Sequence, residues 1–427
     1  MNAPTQDFAN SSLSLKSNQE GRRPLRAFLD SADYSILSDE RRSKPQLSKL
    51  RDQLIGWADS GAVEFWYSGT ILSEMAPLES RYAGASVARA DLLVRLCKRQ
   101  ALISFDQILL RELQILRAGI LETDLRSVYS YTGDWFPENA VDILPVSWLE
   151  GIREFDVGAR QQGHNRETRR KLKKQFFKNG RPTNVMSGML EKRQFDLDEF
   201  LQKYPMREND ALVLAGYVAG RATCAQAQEA FLASLRDPSW MIRWYYNHSN
   251  KLSSFTDWVR GSSSSIVEMI EQVSEDALIL KGDAEKLRET GSELGISPLF
   301  PAIDKLWWLK QQDQLVAHLA KQLASRLFEI SLEDRTSSDV DRLAPGFSTC
   351  IRVLHSSIWE SVGPSARNPK PSDWADTLHA LYAPYVDIFR TDSYMARIIQ
   401  EKTHKYGTTI VAKIEDLAEQ IEVRLED

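Results

Sequence analysis

Four acidic residues stand where short apolar runs end or helices begin. Asp376 and Asp392 lie 16 residues apart in PSDWADTLHALYAPYVDIFRTDSYMARII, residues 371–399. That stretch reads as a capped helix, a short apolar strand and a second helix, with Asp376 in the first helical turn and Asp392 at the strand-to-helix junction. Near the other end of the chain, Ala27, Phe28 and Leu29 run straight into Asp30. The strand-like run from Val63 to Tyr67 is followed by Ser68, placed to cap a helix that carries Glu74. In an open α/β sheet the carboxyl ends of strands form the crevice where ligands bind. Carboxylates gathered there repel one another unless a cation neutralises them. Mg²⁺ or Mn²⁺, which take oxygen ligands, fits that need. Such an ion polarises a phosphoryl oxygen and brings the pKa of a bound water down toward neutrality.

Each acid also has an ordinary role open to it. Asp373 and Asp376 follow Ser372 in a first helical turn, where acids complement the helix dipole. Asp392 is placed to cap the helix beginning near Ser393, and Asp30 to close an Asx-turn. Around the four acids stand supporting groups. His379 is three residues after Asp376 and shares its helix face, able to orient a carboxylate or touch phosphate. Ser68 and Thr391 are hydrogen-bond donors beside the acids, and Asp373 competes with Asp376 for the ligand position.

The order of these pieces resembles the PIN-like nuclease superfamily. The matching pieces are FLDS with Asp30, YSGTILSE with Ser68 and Glu74, DTLHA with Asp376, and FRTD with Thr391 and Asp392. The resemblance implies a small parallel-sheet core in which Asp30, Glu74, Asp376 and Asp392 hold Mg²⁺ or Mn²⁺ for hydrolysis of RNA phosphodiester bonds. The departure is the gap of about three hundred residues between Glu74 and Asp376, where that family is compact. The rival readings are a catalytically silent PIN-like module that binds RNA or protein, a structure-specific DNA nuclease, and a helical scaffold of a defence or toxin system.

A second feature points to nucleic acid. The net charge is −5, yet residues 160–181 hold nine Lys/Arg and one Glu, a local excess of +8. The remainder therefore carries −13. Arg166, Arg169, Arg170, Lys171, Lys173, Lys174 and Lys178 form the expected phosphate-binding tract, whose affinity falls with salt. Phe176 and Phe177 are placed either to stack on unpaired bases or to fill a core. RNA is the expected partner and DNA the alternative; an inhibitory or regulatory protein partner is left open.

These residues need elements to position them. The 427-residue chain has 42% hydrophobic and 26% charged residues, ordinary for a globular α/β protein. Residues 1–24 read as a disordered tail, 25–125 as the first half of the α/β core, 126–365 as a mostly α-helical insertion, and 366–427 as the second half. Within the middle, Ile266, Met269, Ile270 and Val273 follow helical spacing, and Leu315, Leu319, Leu323 and Leu327 recur every four residues. The run ALISF (101–105) fits a strand or a helix start. No apolar run reaches membrane-span length, and the polar N-terminus has no signal-like core. Cys97, Cys224 and Cys350 are scattered, so a reducing cytoplasm is expected. The common Gly-rich nucleotide loops, the hydrolase elbow and the zinc-protease motif do not occur.

Overall fold

The computed structural model describes residues 23–39, 44–75, 83–119, 128–136, 148–194, 206–247, 286, 289–290, 300–329, 331–332, 334–361 and 371–427. The tail before Arg23, the Ile266–Val273 stripe and the GSSSS break lie outside the described residues, as does the side chain of Asp373.

Four short apolar runs form one parallel sheet: β1 (Leu25–Phe28), β2 (Val63–Trp66), β7 (Ile388–Arg390) and β8 (Thr409–Val411), in the order β2-β1-β7-β8. Most residues of β1, β2 and β7 are buried or half-buried, and β8 keeps Val411 inside, which suits a parallel sheet flanked by helices. The register pairs Ala27 with Ile388 and Phe28 with Phe389, while Phe28 pairs with Trp66 on the other side. The two ends of the chain therefore build a single sheet. A parallel bridge between Tyr67 and Ala101 continues it to β3 (Ala101–Leu102), which pairs antiparallel with β4 (Tyr129–Ser130). ALISF thus divides into a two-residue strand and the start of the helix α5 (Phe105–Ala118).

Strand order fixes where a ligand can enter. From β1 the chain moves to β2 on one side and later returns through β7 on the other. The order reverses between β1 and β7, the place where the carboxyl ends of an open sheet leave a crevice. Asp30 follows β1 and Asp392 follows β7 at that edge. The opposite edge is closed by charge. The guanidinium of Arg23 donates twice to Asp387 at 2.7 Å, and the backbone of Arg26 donates to the same carboxylate at 2.8 Å. Burial pushes Asp387 up, but these donors outweigh it and hold the group below the usual carboxylate range.

Helices cover the sheet. The helices α1 (Ser31–Ser38), α2 (Pro45–Ser60) and α4 (Ala83–Cys97) pack on one another, with α2 ended by Gly61 in the left-handed conformation at φ 74. Between them in sequence lies α3 (Gly69–Met75). Helices α6 (Trp148–Gln161), α7 (Arg166–Phe176), α8 (Asn184–Gln194), α9 (Glu208–Val218), α10 (Cys224–Leu235) and α11 (Pro238–Asn247) occupy the middle of the chain. Helix α11 packs on α4, and the Trp135 indole donates to the Leu235 carbonyl at 2.9 Å.

Helix α12 (Phe300–Phe328) forms a second core with α5, α13 (Ser337–Leu343) and α14 (Pro345–Ser361). Its buried stripe is Val316, Ala320 and Ala324, with Leu319 and Leu323 packed at the margin. Three further helices complete the chain: α15 (Pro371–Ala380), α16 (Ser393–Thr403) and α17 (Leu417–Glu426). Among the described residues no helix is long and apolar enough to cross a membrane.

Candidate metal centre

Asp30 is the first polar residue after the buried run Ala27–Leu29 and caps α1 in an extended conformation. Its backbone N–H donates to Asp33 Oδ2 at 3.1 Å, so the turn holds the Asp30 carboxyl at the sheet edge. Glu74 comes from α3. The Ile71 N–H donates to Ser68 Oγ at 3.4 Å, fixing the start of that helix. Gly69 adds a steric reason, because a Cβ there would stand 2.9 Å from the Trp135 ring. The third group is His379, one turn after Asp376 on α15 and only 3% exposed.

One oxygen from Asp30, one from Glu74 and a ring nitrogen of His379 all lie within 4.8 Å of one another. His379 Nε2 stands 3.8 Å from Glu74 Oε2, and neither atom has a hydrogen-bond partner in the protein. A buried polar atom without a partner costs about 1–3 kcal/mol. The two face each other at this spacing, as ligand atoms of one ion would. Metal–ligand bonds of about 2.1 Å place ligand atoms roughly 3–4 Å apart, so a small inward movement of the side chains completes a coordination face. The donor set, two carboxylates and an imidazole, fits a divalent cation.

The structure brings together two of the four expected acids and adds His379, which sequence reasoning had placed among the supporting groups. Asp376 is half-buried beside the centre on α15 but outside that tight group. Asp392 is exposed, and its Oδ1 accepts from the backbone N–H groups of Tyr394 at 2.7 Å and Met395 at 2.8 Å. That carboxylate caps α16. Ser68 caps α3, as expected. Thr391 is buried, and its N–H donates to the Val411 carbonyl at 3.3 Å, tying β7 to β8.

Two further charged residues meet at this edge. Asp33 is fully buried and pairs with Arg390 Nη2 at 3.1 Å. Burial pushes the Asp33 carboxyl up to about 7, against the pull of Arg390. The signal in the sequence is an arginine in an otherwise apolar strand, IFR.

The basic tract forms α7, begun by Asn165, whose side chain accepts from the Thr168 N–H at 2.9 Å. Arg166, Arg170, Lys171, Lys173 and Lys174 are exposed on it, as is Lys178 on the following β5 (Phe177–Lys178), which pairs with β6 (Arg181–Pro182). Arg169 is half-buried against Asp156 at 2.9 Å, and Lys171 meets Glu167 at 3.0 Å. Phe176 and Phe177 both pack edge-on against Phe155, at 5.6 and 5.5 Å, so they belong to a small core. Comparison of the chain with family models, curated proteins and solved structures gives no match.

Proposed function

We propose that this protein is a divalent-metal-dependent nuclease of the PIN-like kind that hydrolyses RNA phosphodiester bonds. One observation carries the reading: Asp30, Glu74 and His379 converge at the reversal of strand order, with His379 Nε2 and Glu74 Oε2 both lacking protein partners. A cation bound there supplies Lewis-acid activation of a phosphoryl oxygen and a water of lowered pKa. Asp30 and Glu74 neutralise its charge and fix its position. Asp376 lies on the same helix as His379, and Asp392 follows β7. The exposed cations of α7 hold the nucleic-acid backbone, a contact that positions a strand without reading its bases.

A silent binding module is the second reading, favoured by the capping role of Asp392. A reducing cytoplasm fits the scattered Cys97, Cys224 and Cys350, of which Cys97 and Cys350 are buried. The test is cleavage of single-stranded RNA and of branched DNA with Mn²⁺, Mg²⁺ or EDTA. Metal-dependent RNA cleavage that disappears in Asp30→Asn and Glu74→Gln is the expected result. Metal binding without cleavage of either substrate points to the silent module. Cleavage of branched DNA alone points to a structure-specific DNA nuclease.

A further inference from the structure

We infer that the centre is a mixed nitrogen–oxygen site that takes first-row transition cations in preference to Mg²⁺, with His379 as a direct ligand. The inference rests on the metal-centre reading above and deepens it. It begins from what His379 does not do. Its Nε2 lies 3.8 Å from Glu74 Oε2, beyond hydrogen-bond reach. The imidazole is therefore not a donor that orients the Glu74 carboxylate. It stands beside that carboxylate, with both facing atoms lacking a protein partner.

The ring is also held in place. His379 meets the Phe28 ring edge-on, with centroids 5.6 Å apart and planes at 64°. Phe28 in turn stacks on Phe389 at 5.1 Å and on Tyr382 at 6.0 Å. Those rings come from β1, β7 and the turn after α15, so the neighbouring strands and the end of its own helix fix the imidazole. A ligand already oriented before binding loses little conformational freedom when a cation arrives.

Cation chemistry then decides. Mg²⁺ demands oxygen ligands in a near-ideal octahedron and gives up its waters reluctantly. Imidazole nitrogen suits transition metals, whose affinity for a given site rises from Mn²⁺ through Co²⁺ to Cu²⁺ and falls again at Zn²⁺. A carboxylate–carboxylate–imidazole face gives Mg²⁺ two useful ligands and a transition cation three.

The experiment uses the full chain with Mg²⁺, Mn²⁺, Co²⁺ and Zn²⁺. Mn²⁺ binding is followed by electron paramagnetic resonance, the other ions by competition, and ¹⁴N coupling to bound Mn²⁺ by electron spin echo modulation. His379→Gln puts an amide oxygen near the place of Nε2 and makes the face all-oxygen. The inference expects ¹⁴N modulation in the wild type and weak displacement of Mn²⁺ by Mg²⁺. His379→Gln should lose the modulation and bind Mn²⁺ on the order of 10–100-fold more weakly, at least the loss caused by removing a ligand's outer partner, with Mg²⁺ binding no weaker. If that variant does not fold, the wild-type modulation and competition decide alone. Bound Mn²⁺ without ¹⁴N coupling, coupling that survives His379→Gln, or equal competition by Mg²⁺ overturns the inference and leaves the carboxylate centre standing. Binding of none of the four cations removes the centre, and the proposed function with it.

Discussion

Glu112 and Glu74 both turn carboxylates inward from helices, yet their oxygens are met in opposite ways. Glu112, on α5, is fully buried and accepts from the backbone N–H groups of Gly346 at 2.6 Å and Phe347 at 2.7 Å, and from the Tyr385 hydroxyl. It closes the first turn of α14 and ties α5, α14 and the turn after α15 together. Gly346 must be glycine for this approach, since a Cβ would meet the Leu381 carbonyl at 2.6 Å. Glu74 Oε2 is covered but faces an imidazole nitrogen that is equally unpartnered. A carboxylate whose donors come from the protein serves the fold. Glu74, whose neighbours are other potential ligand atoms, is the carboxylate that the metal-centre proposal uses.

The comparison is broken most directly at Glu112. Glu112→Ala leaves three buried donors unpaired, and we expect a loss of about 3–5 kcal/mol in denaturant unfolding. Glu74→Gln, measured without metal, should lose almost nothing, because it removes like-charge repulsion with Asp30. Equal losses at the two positions would end the distinction.

The pH dependence sharpens it. Burial raises Glu112 to about 7 despite its hydrogen bonds. Between the unfolded value near 4.5 and that folded value, the native state holds a proton that the unfolded chain has released. Stability from this group is therefore full below about 4.5 and falls as pH rises to about 7, by roughly 3 kcal/mol. Asp33, also raised to about 7, acts in the same sense. Glu112→Gln imitates the protonated acid, so its unfolding curve should lose the part of the slope that belongs to Glu112. An unchanged slope would show that Glu112 is ionised in the fold.

Metal linkage tests the other side. A transition cation at about 100 times its Kd should stabilise the wild type by about 2.7 kcal/mol and Asp30→Asn or Glu74→Gln hardly at all. The same addition should stabilise Glu112→Gln by the same amount, because that carboxylate has no role in binding. The smallest effect on stability is expected at α7. Replacing Arg166, Arg170, Lys173 and Lys174 with Gln should change unfolding free energy by less than about 0.5 kcal/mol, as for exposed sites generally. RNA binding should weaken across sequences, with its salt slope flattened by about one unit for each phosphate no longer held. Unchanged affinity and slope would make α7 an ordinary solvated face.

Much of the frame was legible because its signals are local. The apolar runs Ala27–Leu29 and Val63–Tyr67, and the one between Asp376 and Asp392, correspond to β1, β2 and β7, displaced by a residue or two at their ends. Strands β4, β5 and β6 were not legible, since two residues carry no periodicity. At the site, Asp30 and Glu74 were legible from their places after strands. Asp392 had two local roles open to it, ligand and cap, and its backbone donors sit two and three residues away.

The amino-acid sequence by itself determined which segments can be strands, where helices begin, that Asp30 follows β1 and that Glu74 lies on the helix after β2, because caps, apolar runs and turns act over a few residues. Tertiary structure alone decided which polar atoms find partners. Glu112 meets donors 234 residues away, and His379 meets Glu74 only because β1 and β7 pair in one register. Nothing in local spacing distinguishes a buried carboxylate that the fold has satisfied from one left facing a bare imidazole. That difference arises when distant segments are packed and their hydrogen-bonding capacity is used up or left over.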